Sequence, residues 1–479
     1  MTSATPAAKR PGYYSPISFE ADAAFLPVLG ELPESLQGTL YRTGPNPQFP
    51  VENAHLFFGD GMLHAFTLHE GRASYRNRWV RTSAWQAEHA AGRRLYNAAG
   101  RPIDPDDPAL PAEDDGTGNT HVVRHAGRLF ALEEAHLPIE IDAATLRTLG
   151  SCDFGGKIKG PFTAHPHVDP ATGEMLFFGY GAGGYFTPDI SFGSMNAAGE
   201  VTRFERFVAP FSSMVHDFAI TEGHMVFPVL PLTGSMERAT SGRPPFAWEP
   251  ELGARVGILP RNAPPSDIRW FEGAACYVFH FMNAWEERDV RGHRLIKADV
   301  MQFEQPPLFP FADGRPTDAQ RSVARLVRWT FDLDGASNTF SQEPLDDLVG
   351  EFPRMDDRFT GRAHRHGWYA CQREGAATPS YDGVAHHDTL RGRRALYHVP
   401  QGDRLSEPVF VPRDAGADEG EGWLLAVAAR MQEGRSDLLV LDAQDIESGP
   451  VATVQLSHRV PGGFHGSWIA GAALNLGDE

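Results

Sequence analysis

Short apolar runs separated by turn residues recur along the whole chain, and they restrict its fold more than any other feature of the sequence. Glycine (49 residues) and proline (38 residues) are spread throughout and are not gathered into a linker. Between them lie runs rich in β-branched and aromatic residues, such as GTLYRTG, LHAFTLH, EMLFFGYG and WLLAVAARM. This is the composition of β-strands. Few helical stretches compete with these runs, so the chain is predicted to be all-β.

Several segments follow one plan, in which strand-like runs are joined by turns that contain aspartate and glycine. HVDPATGEMLFFGYG (167–181) and LLVLDAQDIESGPVATVQL (438–456) are examples. Regular hairpins of this kind predict a closed β-architecture, and a propeller fits a chain of 479 residues best. No WD or kelch-like repeat marks the blades, so a pair of β-sandwiches remains an alternative. Residues 14–479 are predicted to form one catalytic domain after a flexible tail, residues 1–13, which lacks the apolar stretch of a signal peptide or anchor.

The charge of the chain excludes several classes of partner. Acidic residues outnumber basic ones, 62 to 43, and the formal charge is −19, whereas nucleic-acid binding needs a basic surface. The same charge means that any membrane contact must be hydrophobic and transient. No apolar run approaches the length of about 18 residues that a spanning helix needs. Three scattered cysteines are too few for a disulfide framework, so a cytoplasmic protein is expected.

Four of the 20 histidines share an unusual setting. They lie among apolar or small residues at the ends of predicted strands: His165 in FTAHPH, His216 in SSMVHDFAI, His280 in YVFHFMN and His465 in GGFHGSW. Each of them alone fits a hydrogen-bonded core histidine. Together they indicate a metal site, because the innermost strands of a propeller face its axis and can bring four imidazoles to one point. Four neutral nitrogens suit iron(II) or zinc.

Three glutamates are candidates for partners of these histidines. A ligating imidazole donates its second N–H to an acceptor that is often a carboxylate. Glutamates in apolar or proline-rich settings are Glu134 in ALEEAHLP, Glu351 in GEFPRM and Glu407 in SEPVFVPR. The alternative is that each is an ordinary surface carboxylate. Polar neighbours predict that a further set of histidines is solvated, namely His69, His89, His293, His364, His366, His386 and His387. For the pair His386 and His387, in AHHDT, metal binding is the alternative.

Ten motifs, in order along the chain, resemble the carotenoid cleavage oxygenase family, which includes enzymes that cleave lignostilbene and isoeugenol. They are LQGTLYRTGPNP (36–47), FGDGMLHAF (58–66), YRNRWVRT (75–82), NTHVVRHAGRLFALEE (119–134), FTAHPHVDPATGE (162–174), MVHDFAIT (214–221), VFHFMNAWEE (278–287), EFPRM (351–355), EPVFVPR (407–413) and RVPGGFHGSW (459–468). These motifs cover most of the chain.

The resemblance implies a seven-bladed propeller in which loops and short helices cap one axial Fe(II), with no organic cofactor. It maps the iron ligands onto His165, His216, His280 and His465, and the glutamates that hydrogen-bond three of the ligands onto Glu134, Glu351 and Glu407. The implied reaction adds both atoms of O₂ across a conjugated C=C bond and yields two carbonyl products. Two alternatives are a redox-silent enzyme that isomerises or hydrolyses a polyene ester on the same iron, and a propeller that serves only as a binding scaffold.

The substrate implied by the resemblance is an apocarotenoid, or a phenylpropenoid or stilbenoid alkene such as isoeugenol or 4-vinylguaiacol. Residues 234–261 are similar to the second group, which favours small aromatic alkenes. Phenol-reading members carry a lysine immediately before the first of the three glutamates, where this chain has Glu133. Thr120 matches a residue near the open coordination positions.

Further pocket and surface residues are predicted from the same resemblance. Aromatic residues that line the pocket, or alternatively pack in the core, are Phe57, Phe58 and Tyr96. The segment FEQPPLFPF (303–311) is interpreted either as an apolar rim that takes up substrate from membranes or as a packed loop.

Overall fold

The structure is a computed structural model that describes residues 12–51, 54–376 and 380–474. The predicted tail, residues 1–13, lies outside this part of the chain except for Gly12 and Tyr13. Within it, strands dominate, and the two α-helices are α1 (Ser83–Ala91) and α2 (Met236–Thr240). Neither helix has the length and hydropathy that a membrane crossing requires. Short 3-10 turns cover Leu56–Phe58, Pro250–Leu252, Pro265–Asp267, Asp357–Phe359 and Ile446–Ser448.

The strands of the first half of the chain have at most nine residues each. They are β1 (Ala21–Ala23), β2 (Val28–Gly30), β3 (Gly38–Pro45), β4 (Gly61–His69), β5 (Arg72–Trp79), β6 (His121–His125), β7 (Arg128–Leu132), β8 (Ile139–Ile141), β9 (Thr148–Ser151), β10 (His167–Val168), β11 (Met175–Tyr180), β12 (Asp189–Met195), β13 (Val201–Val208), β14 (Ala219–Ile220), β15 (His224–Val229), β16 (Leu232–Gly234) and β17 (Phe246–Trp248).

The second half of the chain contains the longest strands. They are β18 (Ala254–Pro260), β19 (Arg269–Gly273), β20 (Tyr277–Arg288), β21 (Arg294–Phe303), β22 (Ala324–Asp332), β23 (Ser341–Pro344), β24 (Gly350–Met355), β25 (His366–Cys371), β26 (Gly383–Asp388), β27 (Arg393–His398), β28 (Arg404–Leu405), β29 (Val409–Pro412), β30 (Gly422–Arg430), β31 (Arg435–Asp442), β32 (Pro450–Gln455) and β33 (Gly466–Ala470).

Seven antiparallel sheets form the blades of a propeller. Blade 1 has the strand order β33-β3-β4-β5-β1, and blades 2 and 3 are β6-β7-β8-β9 and β10-β11-β12-β13. Blade 4 is β14-β15-β18-β19, blade 5 runs from β20 to β23, and blade 6 from β24 to β27. In blade 7, β28 and β29 both pair with β30, followed by β31, β32 and β2. The predicted all-β, seven-bladed fold is confirmed, and the β-sandwich alternative is wrong.

The two ends of the chain close the ring. The last strand, β33, pairs with β3, so that Gly466 lies opposite Arg42 and Ala470 lies opposite Gly38. The early strand β2 completes the outer edge of blade 7 by pairing with β32. Each end is therefore held in a sheet built mainly from the other end. Full closure of this kind protects the strand edges that an open array would expose.

Each blade is buried on both faces because it packs between two neighbours. In β30, Leu425 and Val427 join a cluster shared with blade 1, whereas Leu424 and Ala426 join a cluster shared with blade 6. Successive side chains of a strand point to opposite faces. This explains why the sequence of β30, GWLLAVAAR, is apolar almost throughout and does not alternate with polar residues.

The first strands of neighbouring blades line the axis of the propeller. Contacts join β14 to β20, β20 to β24, β24 to β29, β29 to β33 and β33 to β6. Near the axis, the rings of Phe57, Phe309 and Phe464, from separate loops, form an aromatic cap. The ring centroid of Phe57 lies 6.4 Å from that of Phe309 and 6.0 Å from that of Phe464. The loop 303–311 contributes Phe309 to this cap, and Leu308 is its one strongly exposed apolar side chain (65%). That segment is therefore mainly a packed loop.

Closure of the ring by β33 can be tested in the core between blades 1 and 2. Ile469 of β33 is buried there with Tyr41 and Ile139. We expect Ile469→Ala to lower the free energy of unfolding by about 2–5 kcal/mol, measured in urea, because it opens a cavity. The control Val208→Ala changes an exposed residue of β13 and should stay within about 0.5 kcal/mol. Equal losses in both variants would contradict this account of closure.

Candidate metal centre

Four histidine side chains converge on the axis of the propeller. Their Nε2 atoms form a chain of short separations: 3.1 Å from His165 to His216, 3.1 Å from His216 to His280, and 3.0 Å from His280 to His465. All four residues are buried, and one ring nitrogen from each lies within 4.8 Å of the others. Four buried imidazoles in this arrangement can hold a metal ion.

The blades deliver these side chains in one consistent way. His165, His216 and His465 lie just before the innermost strands of blades 3, 4 and 1, that is β10, β14 and β33. His280 lies inside β20, the innermost strand of blade 5, where the register with β21 shifts on both sides of Phe281. Such irregularities redirect a side chain out of the regular alternation. An imidazole from each of four blades thus reaches the axis.

Glutamates bind the opposite ring nitrogen of three of the histidines. His216 Nδ1 contacts Glu134, His280 Nδ1 donates to Glu351 at 2.5 Å, and His465 Nδ1 donates to Glu407 at 2.9 Å. A proton held on Nδ1 leaves the lone pair on Nε2, which is the atom that faces the axis. Within the described chain, no carboxylate hydrogen-bonds to His165.

The three glutamates are themselves held in place. The Tyr180 hydroxyl donates to Glu134 at 2.8 Å, and the Gly466 N–H donates to Glu407 at 2.9 Å. Glu351 accepts from the N–H of Phe352, which has a φ of 56°. This left-handed conformation costs a residue with a side chain about 1–2 kcal/mol. It places the Phe352 ring 5.4 Å from the rings of both His280 and His465, so that the strained residue packs against two members of the cluster.

Burial and mutual repulsion set the protonation of the cluster. Burial, followed by the neighbouring imidazoles, holds the pKa of His165 and that of His465 well below the usual value. These rings are therefore neutral and offer a lone pair. Burial also works to lower the pKa of His280, but the charge and hydrogen bond of Glu351 outweigh it, and the pKa is raised.

The spacing of the nitrogens fits a metal with right-angled ligands. Two nitrogens bound at right angles, each about 2.1 Å from a metal, lie about 3.0 Å apart, whereas tetrahedral angles place them about 3.4 Å apart. The three consecutive separations of 3.0–3.1 Å match the right-angled arrangement. Four ligands in an octahedron leave two positions for other molecules.

A fifth histidine, which the sequence analysis missed, lies beside the cluster. His121 begins β6 and is buried, and its ring centroid lies 5.6 Å from that of His165 and 5.3 Å from that of His465. Burial, with smaller effects of His465 and Arg354, lowers the pKa of His121 to about 3. A strand-start histidine followed by Val-Val has the same sequence setting as the other four, and that signal could have identified it.

The predicted pocket residues occupy different places. The Thr120 carbonyl accepts a hydrogen bond from the His465 N–H at 3.1 Å, so Thr120 adjoins the cluster. Phe57 belongs to the aromatic cap, whereas Phe58 is half-exposed (53%). Tyr96 is partly buried and forms a β-bridge with Pro102.

Glu133 belongs to a charged group that also contains His136 and Asp114. It contacts the His136 Nδ1, and Asp114 lies 3.5 Å from the His136 Nε2. Burial opposes a charge on this ring, but Asp114 and Glu133 outweigh it and raise the pKa of His136 to about 10. Glu133 thus faces an imidazolium at neutral pH.

The prediction that polar neighbours keep histidines solvated is wrong for four of them. His364, His366, His386 and His387 are all buried. His366 Nδ1 lies 2.8 Å from His386 Nε2, and the His364 ring meets the edge of Trp285 at 5.3 Å. Both faces of blade 6 are covered by neighbouring blades. A histidine with polar neighbours in sequence can therefore still be buried there. None of the four belongs to the axial cluster.

Comparison with known proteins places this site in a family. Residues 14–470 match the family described as retinal pigment epithelial membrane protein (RPE65). The chain belongs to this RPE65/carotenoid cleavage oxygenase family. It is 38% identical to isoeugenol monooxygenase of Pseudomonas nitroreducens over 468 residues, covering 96% of this chain and 97% of that protein.

Crystal structures of other family members superpose closely on this chain. The lignostilbene dioxygenase of Pseudomonas brassicacearum matches with a TM-score of 0.89 and 36% identity, covering 96% of this chain and 97% of that one. A cobalt-substituted apocarotenoid oxygenase of Synechocystis matches with a TM-score of 0.82 and 28% identity, covering 95% and 97%. As a member of this oxygenase family, the protein is an alkene-cleaving dioxygenase, as predicted.

The roles of the axial residues can be separated by metal binding. We expect alanine at His165, His216, His280 or His465 to abolish stoichiometric metal loading, because each change removes a ligand. Glu351→Gln should leave a folded protein whose metal affinity falls about 10–100-fold, since it only loosens the orientation of His280. Metal content by mass spectrometry and competition with a chelator measure both effects.

A buried histidine away from the axis provides the control for these variants. His366→Ala should keep wild-type metal content, because His366 lies outside the cluster. Full loading of any one of the four ligand variants would show that the metal is bound elsewhere.

Proposed function

We propose that the four axial histidines hold one Fe(II) per chain, and that the protein uses O₂ to cleave the conjugated C=C bond of a small aromatic alkene into two carbonyl products. The observation that carries this proposal is the cluster of four buried imidazoles whose Nε2 atoms converge on the axis, backed by three carboxylates. Zinc has no redox chemistry, so a family of oxygenases favours iron(II) at this site. When bound, iron(II) supplies the redox chemistry that O₂ needs, and no organic cofactor is required.

The ligands of such a site are uncharged imidazoles, and the carboxylates act on them only through hydrogen bonds. Neutral imidazoles leave the charge of a divalent ion intact at the axis. The carboxylates lie one hydrogen bond further out, where each fixes the tautomer and orientation of its ring and makes it a better donor. The Gly466 N–H and the Tyr180 hydroxyl hold Glu407 and Glu134 in turn. These contacts restrain the orientation of the glutamates and, through them, of the imidazole rings.

The aromatic cap supplies the apolar side of the site. Phe464 directly precedes His465 and packs on Phe57, which contacts Phe309. An apolar layer this close to the cluster excludes water and suits a planar, conjugated substrate. Thr120, joined to the backbone of His465, is proposed to lie next to the open coordination positions. Tyr96 and Phe58 are proposed to line the outer part of the pocket.

The similarities favour phenylpropenoid and stilbenoid substrates over apocarotenoids. Identity is 38% to the isoeugenol enzyme, against 34% and 33% to two enzymes named carotenoid cleavage oxygenase and 28% to the apocarotenoid oxygenase. Isoeugenol and 4-vinylguaiacol are the substrates that we propose first.

The protein is proposed to work in the cytoplasm, with at most transient hydrophobic contact with membranes. Its three cysteines are free and buried, which suits a reducing compartment. Leu308 and Phe58, exposed beside the aromatic cap, are the side chains through which such contact would occur.

Aerobic turnover of the iron-loaded protein tests the reaction. We expect oxygen uptake with isoeugenol or 4-vinylguaiacol, together with carbonyl fragments identified by mass spectrometry. Resveratrol and an apocarotenal serve as the longer alternatives. Turnover without oxygen uptake would indicate an isomerase or hydrolase instead, and protein that binds no iron would indicate a binding scaffold.

We also propose that Glu133 accepts a hydrogen bond from a substrate hydroxyl, in place of the lysine of phenol-reading relatives. The imidazolium of His136 balances the charge of Glu133, which leaves a site suited to a neutral phenol rather than a phenolate. Because a hydrogen bond to a charged group contributes about 1.5–3 kcal/mol, Glu133→Ala should raise KM for isoeugenol at least about tenfold.

The control substrate is methyl isoeugenol, which lacks the hydroxyl. Its KM should change less than about twofold in Glu133→Ala, and Glu133→Gln, which retains an acceptor, should be intermediate with isoeugenol. Equal losses with both substrates would show that Glu133 acts only through His136 and the fold.

A further inference from the structure

His165 differs from the other three axial histidines in the way it is held. Glutamates fix the rings of His216, His280 and His465 through Nδ1. Among the described residues, no carboxylate binds the ring of His165. The backbone N–H of His165 donates to the Thr163 hydroxyl at 2.9 Å. The ring of His165 therefore lacks the restraint that a carboxylate gives the other three rings, which leaves the contacts of its backbone to position this ligand.

His121 makes that contact from the neighbouring blade. Its Nδ1 donates to the carbonyl of Ala164, the residue before His165, at 2.8 Å. Its Nε2 then accepts from the Ser467 hydroxyl, 3.3 Å away, on the strand that follows His465. Both ring nitrogens are engaged and the side chain is buried, so the ring of His121 joins the innermost strands of blades 3 and 1 through blade 2.

Thr120, the residue before His121, adds a second hydrogen bond between blade 2 and blade 1. The carbonyl of Thr120 accepts the N–H of His465 at 3.1 Å. Thr120 and His121 thus bind the backbone on both sides of the gap between His165 and His465. These two ligands are 300 positions apart in sequence, numbered 165 and 465, and blade 2 is the structure that lies between them.

We propose that His121 is a positioning residue for the metal centre, which fixes the backbone beside His165 through the Ala164 carbonyl. This inference rests on the proposed metal site. His121 is not a fifth ligand, because both of its ring nitrogens are already bonded and it lies outside the group of converging nitrogens.

Two substitutions separate the hydrogen bond from the volume of the ring. His121→Leu fills much of the space but cannot donate. His121→Asn places an amide N–H near the position of Nδ1 and can still donate to Ala164. We expect His121→Leu to lose iron to a chelator about 10-fold faster or more, and His121→Asn to stay within about twofold of wild type.

Cobalt(II) gives a readout that does not depend on turnover. Visible absorption of the cobalt-loaded protein reports the ligand geometry, so His121→Leu should shift the bands and His121→Asn should restore them. A merely structural role would alter thermal stability without changing the spectrum of the protein that remains folded.

The matched control is at the other end of the same strand. His125 ends β6, is also buried, and hydrogen-bonds through Nε2 to the Asn196 carbonyl of blade 3 at 2.8 Å. His125→Leu therefore removes the same kind of bond between the same two blades, at the end of β6 that lies away from the four ligands. It should lower the melting temperature while leaving iron release and the cobalt spectrum unchanged.

Several outcomes would overturn the proposal. One is a His121→Leu protein with wild-type iron release and spectrum. Another is a folded His121→Asn that is no better than His121→Leu, or a His125→Leu that is equally impaired in metal binding. Wild-type protein that binds neither iron nor cobalt would refute the metal centre itself, and this inference with it.

Discussion

Convergence of the innermost strands on one axis is the constraint on which the rest of the structure depends. In a closed ring of seven blades, those strands bring together residues from distant parts of the chain, and the ends of the strands meet away from solvent. Only side chains that bind one another, or bind a common ion, can occupy such a place without a large desolvation cost. The residues found there fit this demand: four imidazoles, two of them with a strongly lowered pKa, and three carboxylates that each receive an imidazole N–H.

Each of the three carboxylates pairs with one histidine of a different blade, and the order of the blades determines which one. Glu351 of blade 6 serves His280 of blade 5, and Glu407 of blade 7 serves His465 of blade 1. Glu134 follows the second strand of blade 2 and reaches across blade 3 to His216 of blade 4. His165, in the blade that Glu134 passes, is the histidine left without a carboxylate. The exception therefore follows from the geometry of the ring, and it explains why a backbone contact from blade 2 is needed there.

The strand runs and the residues of the axial cluster could be predicted because each leaves a local signal. A histidine or glutamate among apolar residues at a strand end is unusual enough to be noticed, and the resemblance to the family implied the number of blades. The pairing of Glu134 with His216 could not be predicted, since it depends on which blades are neighbours and not on any spacing in sequence. The burial of His366 and His386 was missed for a related reason: polar residues beside them lie on strands whose two faces are both covered.

The metal site forms only when the ring of blades closes. The ligands are spread from residue 165 to residue 465, and His465 is in place only when β33 pairs with β3 and completes blade 1. An unfolded or open chain therefore has no preformed site, so a metal ion binds the closed ring far more tightly than any open form. By mass action, binding of this kind stabilises the closed ring by an amount that grows with metal concentration. The same four imidazoles that give the protein its chemistry would thus, through a bound ion, also join blade 1 to blades 3, 4 and 5.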